Sequence, residues 1–512
     1  MEPSPSVLSS HSDAGSRWFR LFLGGAPPWY KRTLIACLAA NAVVFAVLSL
    51  VAPDSARFVV GWMVLAEFIF TLAMALQCYP LLTGGLLAIQ AVLMGLCSVD
   101  GMYREASHNF PVILLLIFVV AGVGFLKEWL SVVFTTILFS TRSKILLSLL
   151  FCGSGALLSA FLDALTVMAV IIAVGKGFWD IYHQVRSRDG DHDAAELEQF
   201  RAFLRSLVMH AAVGTALGGV MTMVGEPQNL LIAHVMRDNL PAERVGNWSF
   251  LGFIASMAVV TVPTLVVGLL TCVVVERFAL LGYGAQMPER VRAALWAEAE
   301  EARRRRTPLD RARLQVMGAC AGLLVLGLAF HWAEVGILGL FLIVLATAFT
   351  GINDEHRIGQ AFTESLPFTA LLIVFFAVVA MIDEQDLFRP IISLALAQPP
   401  DAQRLAFFGA NALLSVVSDN VFVATVFINE ATTAFQAGII DAQQYEKLAV
   451  TINTGTNIPS IATPNGQAAL LFLLTSALAV PIRLGYLTMM KMALPYTITM
   501  TSVSLLAVWL LL

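Results

Sequence analysis

The chain has 512 residues, of which 58% are hydrophobic and 13% charged, with a formal net charge of -4. A soluble domain carries about 25% charged and about 45–50% apolar residues, so this composition excludes an ordinary soluble globular protein and requires lipid around much of the surface. The small net charge gives no electrostatic reason for a nucleic-acid partner.

The first 33 residues are polar and Pro/Ser-rich, then basic, with Arg17, Arg20, Lys31 and Arg32. No apolar run backed by a cleavage site precedes them, so they read as a cytoplasmic tail rather than a removable signal peptide. Apolar runs follow near 34–52, 58–76, 81–98 and 111–126, then within 130–175, 204–236, 250–281, 314–330, 335–350, 367–383, 404–430, 448–480 and 486–512. At about 20 residues per spanning helix they allow roughly ten to twelve crossings. Two linkers are polar. Residues 178–203 place Arg186, Arg188 and Arg201 among acids, and residues 284–313 carry Arg303–Arg306, Arg311 and Arg313. The second reads as an amphipathic helix that the positive-inside rule puts in the cytoplasm. Its arginine run is a topogenic charge cluster, with a lipid-headgroup or regulatory contact as the alternative. This linker divides the chain into a 1–33 tail, a first membrane half over 34–283 and a second over 314–512.

Each half contains the same unusual element. Ser159 precedes Asp163 by four residues in an apolar stretch, and Ser415 precedes Asp419 by the same spacing. A carboxylate at the bilayer centre costs about 2.5–3.5 kcal/mol on insertion scales, so two at matching places point to a duplicated fold with a polar site between its halves. A second pair supports the duplication: Gly214, Thr215, Thr222 and Gly225 match Gly455, Thr456, Thr463 and Gly466 at one constant offset. Each half thus holds a Ser-x-x-x-Asp segment followed by a Gly/Thr-rich one.

Glycine and proline interrupt a helix, and non-helical backbone at membrane depth survives only inside protein or beside water. Residues 218–229 and 457–466 are therefore expected to be unwound, with Thr215, Asn229, Asn457 and Thr463 as neutral oxygen donors for a hard cation such as Na+. The Ser–Asp segments, with Gly153-Ser154-Gly155 before the first, read as re-entrant hairpins whose tips carry Asp163 and Asp419. Ser159, Ser415, Asn420 and Glu226 complete the expected ion and proton site. A carboxylate binds Na+ or a proton but not both well, so competition at Asp163 would couple the two ions. No His/Cys set for a transition metal is visible. The six cysteines are scattered without Cys-x-x-Cys and read as small buried hydrophobes.

Plainer roles exist for most of these groups. Asp163 could cap a helix, Asp419 with Asn420 is a good turn pair, and Glu226 before Pro227 fits capping or gating as well as ligation. The neutral donors could serve only the backbone where the helices break. Glu67 reads as a buried hydrogen-bond partner, His210 as a satisfied core histidine, and Glu364, Asp383, Glu384 and Glu430 as solvated groups near span ends.

The segments LLSAFLDALTV (157–167), GTALGGVMTMVGEPQNLL (214–231), SDNVFVATVFINEA (418–431) and NTGTNIPSIATPNGQAALLFLLTSALA (453–479) closely resemble NhaB-type sodium/proton antiporters of bacterial inner membranes. FVVGWMVLAEFIFTLAMAL (58–76), 353–359 and AFTESLPFTALL (361–372) resemble them too, so the resemblance covers nearly the whole chain. It implies an all-α polytopic membrane protein with two inverted repeats, each with a re-entrant hairpin and a broken helix. It also implies a homodimer, no cofactor, and Asp163 as the essential carboxylate that binds Na+. The wider superfamily carries neutral Ser-Asn-Thr-like hairpin tips; carboxylates replace them here, which fits a cation. The expected function is extrusion of Na+, and of Li+, in exchange for H+. The alternative is a sodium-coupled carrier of an organic or oxyanion, but neither hairpin tip has a basic residue close by. No His-Glu-x-x-His, Gly-x-Ser-x-Gly or Ser–Lys arrangement suggests an enzyme.

Overall fold

A computed structural model describes residues 14–189, 194–363 and 365–512. The first thirteen residues of the expected tail, residues 190–193 of the first linker and Glu364 lie outside the described residues. Every regular element among the described residues is helical. Among the described residues, eight helices are long and apolar enough to cross a membrane, and a ninth counts if the pair Val99–His108 and Phe110–Gly124, bent by 65°, is one span. The expectation of ten to twelve is higher because several apolar runs fold into shorter or interrupted helices, such as Pro80–Leu93 and Val335–Thr350.

The chain forms two compact units. The first comprises the chain up to Tyr103 together with Val374–Leu387. Its helices Pro28–Val51, Pro53–Ala73 and Pro80–Leu93 each start on a proline, where the missing N–H is not needed. Glu67 is half-buried here and accepts a 2.7 Å hydrogen bond from Asn41 Nδ2, which also donates to Gln90 Oε1 at 3.0 Å. Gln90 in turn donates to the Leu38 carbonyl at 2.6 Å. Those bonds match the plainer reading of Glu67 as a buried hydrogen-bond partner. Glu384 is exposed, as expected, but not merely solvated: it accepts from the Ser98 backbone N–H at 2.8 Å and from Ser98 Oγ at 2.5 Å. Asp383 is exposed and Glu430 half-buried.

The second unit comprises Arg104–Ile373 and Phe388–Leu512. It contains two assemblies of the same kind. In the first, helices Lys144–Leu162 and Ala164–Asp189 meet at Asp163, and Lys144–Leu162 packs on Ala194–Gly219. Gly214 and Gly218 sit one turn apart on that contact, and a methyl group on either would overlap the backbone of Cys152 or Ala156. Small residues four apart let two membrane helices approach this closely. The chain unwinds after Gly219 and restarts as Pro227–Asn239. In the second assembly, Pro400–Ser415 and Asn420–Gln436 flank a short turn, and Pro400–Ser415 packs on Ala442–Asn457. A short 3-10 turn, Pro459–Ala462, and an extended stretch precede Ala468–Thr475. The first break is narrower than 218–229, because Pro227 sits at a helix N-terminus and Asn229 is already helical; the second lies between Asn457 and Ala468, close to the expected 457–466.

The basic linker is helical over Glu289–Arg305, with Val291 and Leu295 buried and the arginine run exposed. Glu300 pairs with Arg304 at 3.1 Å, one turn on, which supports an exposed helix. His210 is fully buried and bonded on both ring nitrogens, to Tyr496 Oη at 2.6 Å and to Glu276 Oε1 at 2.7 Å. Lys144 Nζ lies 3.1 Å from the same carboxylate, so the buried charge is matched and His210 is satisfied. Four cysteines are buried, Cys37 and Cys78 are partly exposed, and all six are free.

Candidate ion site

Asp163 is the single residue between the two helices of the first assembly, and its backbone lies at φ 66°, ψ 133°. A side chain at positive φ is strained, at about 1–3 kcal/mol, and such strain clusters at functional positions. Its carboxylate accepts from the backbone N–H of Thr166 at 3.1 Å and from Thr166 Oγ1 at 3.3 Å. Asp163 therefore caps the next helix, as the plainer reading has it, with its charge held at a helix N-terminus that favours an anion.

Asp419 does the same in the second assembly. It caps Asn420–Gln436, accepting from the backbone N–H groups of Val421 at 2.8 Å and Phe422 at 3.4 Å. Neither cap uses up the carboxylate. Both aspartates, with Glu226, line one small cavity of about 20 Å3. The wall also includes Gln228, Asn420, Gln467, Phe368 and Leu116, and no Lys, Arg or His among the described residues. A cavity needs roughly 10–15 Å3 to hold a water, so this one admits a single occupant of that size.

Among the described residues, three polar atoms around it have no hydrogen-bond partner from the protein. Glu226 is 5% exposed and its Oε1 accepts no hydrogen bond, while Gln467 is fully buried with both amide atoms unbonded. Buried polar groups are rarely left so, and where they are, a ligand or function is the usual reason.

The other expected ligands are placed differently. Asn229 Nδ2 donates to the carbonyls of Gly219 at 2.7 Å and Thr222 at 2.6 Å, satisfying the first break. Asn457 Nδ2 donates to the Asn453 carbonyl at 2.8 Å, and its Oδ1 accepts from Gln228 Nε2 at 2.6 Å. Thr215 Oγ1 donates back to Ala212 in its own helix at 2.8 Å, while its carbonyl accepts from Ser159 Oγ at 2.5 Å. Thr463 donates to the Val416 carbonyl, and Ser415 Oγ to that of Ala412 at 3.2 Å. None of these six lines the cavity. Asn420 does, and its amide lies 3.2 and 3.1 Å from the carbonyls of Thr456 and Gly466 once turned to donate to them. Two polar lining residues, Gln228 and Gln467, are not among the candidates the sequence suggests. Each follows a Gly or Pro of a break, and that adjacency was the available signal.

His108, His234 and Asp238, remote in sequence, come together in the fold, with one potential ligand atom from each within 4.8 Å of the others.

Comparison with known proteins agrees with the site chemistry. Residues 12–512 match the family model described as bacterial Na+/H+ antiporter B (NhaB). The chain is 56% identical to the Na+/H+ antiporter NhaB of Marinobacter nauticus, covering 94% of this chain and 96% of that protein. It is 56% identical to the NhaB of Yersinia enterocolitica, with 96% and 92% covered, and 55% identical to that of Escherichia coli, with 96% and 95% covered. With a family model matched over residues 12–512 and relatives 55–56% identical over nearly their full length, the chain belongs to the NhaB family of bacterial Na+/H+ antiporters.

Proposed function

We propose that this chain is a secondary active Na+/H+ antiporter of the bacterial inner membrane, extruding Na+, and also Li+, against H+ entry. The observation that carries this is the cavity: three carboxylates, no basic side chain, and room for one water-sized occupant. A cation stripped of its water shell fits that description. An organic or oxyanion does not, because it would need a larger space and a positive group to receive it.

Asp163, Asp419 and Glu226 hold the ion through their oxygens, with Gln467 and Asn420 as neutral partners and Asp163 as the principal Na+ ligand. Taking a carboxylate out of water favours its neutral form, so a proton competes for the same oxygens. Na+ arriving displaces protons, and protons arriving displace Na+. Alternating access then needs only that the loaded site, with either ion, can open to the other side. Ser159, Ser415, Thr215, Asn229, Asn457 and Thr463 hold the hairpins and broken helices in register around it.

Several features of the assembly belong to this reading. The two assemblies are inverted repeats with re-entrant hairpins, in membrane halves 34–283 and 314–512. The tail and the 284–313 linker face the cytoplasm, as the arginine run favours. The protein works as a homodimer. Purified protein in liposomes with no organic solute tests the function: an imposed Na+ gradient should drive proton movement, and K+ should not. Proton flux that appears only with an added organic anion would reject it.

A further inference from the structure

We propose that His108, His234 and Asp238 form a site for a Zn2+-class dication, whose occupancy pins the Pro227–Asn239 helix and slows exchange. His234 and Asp238 are one turn apart on that helix, with His234 Nε2 3.4 Å from Asp238 Oδ2. Zn–N and Zn–O bonds of about 2.0–2.2 Å arranged as a tetrahedron put ligand atoms roughly 3.3–3.5 Å apart. That edge of the site is already at its bound length. The His108 ring centroid lies 5.5 Å from that of His234, and the three ligand atoms are all within 4.8 Å. A rotation of the exposed His108 ring closes the remaining gap. Two imidazoles and a carboxylate suit Zn2+ or a neighbouring transition metal better than Na+ or Mg2+, and leave a fourth position for water.

The surroundings favour a cation for a second, independent reason. His108 is the last residue of Val99–His108, and His234 and Asp238 lie in the final turns of Pro227–Asn239. Two helix C-termini, each with partial negative charge, thus converge on the site. The nearest charge in sequence, Arg237, is turned toward Glu334 at 3.5 Å. The groups are half-buried to exposed, so a metal can enter from water.

The link to exchange rests on the proposed function. Glu226 and Pro227, which line the ion cavity, begin the same helix that carries His234 and Asp238 near its end. A metal joining that helix to His108 ties one wall of the cavity to a separate segment. Any movement of the helix in alternating access is then resisted.

The experiment uses the full chain, purified in detergent and then in liposomes. Calorimetric titration with ZnCl2 should show one bound ion, and Co2+ should give the visible absorption of a tetrahedral His/carboxylate site. His234→Ala, Asp238→Asn and the double His108→Ala/His234→Ala should each weaken Zn2+ binding, the singles by roughly tenfold or more. Without zinc the variants should exchange Na+ for H+ as the unmodified protein does; with zinc on both sides, only the unmodified protein should slow. Equal zinc binding by the double variant and the unmodified protein overturns the site. Zinc bound at the site with no slowing overturns the pinning. Absence of exchange without zinc counts against the proposed function instead, and the calorimetric result stands apart from it.

Discussion

Thr222 donates its hydroxyl to the carbonyl oxygen of Ala160, the residue after Ser159. Thr463 makes the same bond to Val416, the residue after Ser415. In both assemblies the hydroxyl of a broken helix thus fastens the adjacent Ser–Asp segment. The glycine contacts repeat as well: Gly214 faces Cys152, and Gly455 faces Phe408, at equivalent distances along the chain before the two serines. The matched sequence segments therefore make matched contacts.

Loss of either fastening bond should have a similar effect. Thr222→Val leaves the buried Ala160 carbonyl, and Thr463→Val the partly buried Val416 carbonyl, without its hydroxyl donor, at about 1–3 kcal/mol. Thermal unfolding in detergent should show comparable drops for the two. A large drop for one and none for the other would mean that the assemblies are not energetically equivalent.

Asp163→Asn should abolish exchange while the protein folds and inserts. Asparagine tolerates positive φ and keeps an oxygen for the Thr166 cap, so the substitution removes the charge and little else. Asp163→Glu should keep some activity with altered Na+ affinity. Flux in liposomes, with the melting temperature as the control for folding, reads both.

Asp419→Asn should weaken Na+ affinity more than maximal rate, because a second carboxylate lines the same cavity without occupying the strained position. Gln467→Ala should shift Na+ affinity by roughly ten- to a hundredfold, the effect of losing one neutral ligand worth about 1–3 kcal/mol. Substituting Thr215 or Asn229 should instead cost stability with little change in affinity, since their side chains serve the backbone. Flux measured against Na+ concentration separates these outcomes.

Gly218→Ala and Gly455→Ala form a contrast. A methyl on Gly218 overlaps the Ala156 carbonyl, its carbon and its Cα, all backbone, whereas one on Gly455 meets the Phe408 backbone at 3.2 Å. Overpacking typically costs about 1–3 kcal/mol, and the backbone overlap puts Gly218→Ala at the upper end or beyond. Gly455→Ala should cost less, because its Cβ approaches Phe408 backbone at 3.2 Å and needs only a small shift. Melting temperatures of the two proteins check this directly.

Much of this was legible in the chain. Asp163 and Asp419 are conspicuous because charge is costly in apolar sequence, and the breaks because Gly and Pro cannot continue a helix. Glu226 was visible beside Pro227. What the sequence did not separate was which neutral groups face the cavity. Asn229, Asn457 and Thr463 look like ligands by type, but backbone carbonyls take their donors, at the first break for Asn229, in its own helix for Asn457 and in the Ser–Asp segment for Thr463. Gln467 looks unremarkable because nothing local shows that its amide is unpaired. The His108–His234–Asp238 cluster depends on tertiary contact between remote segments, which no local pattern encodes.

The central claim is that Na+ and protons compete for the same carboxylates. Na+ binding to the purified protein, titrated calorimetrically at a series of pH values and in buffers of different ionisation enthalpy, tests it most directly. Competition predicts that Na+ binding releases protons and that apparent affinity falls with decreasing pH, by up to about tenfold per pH unit for each proton displaced. Asp163→Asn should show neither effect. Sodium affinity that stays constant across pH, with no proton released, would contradict the account.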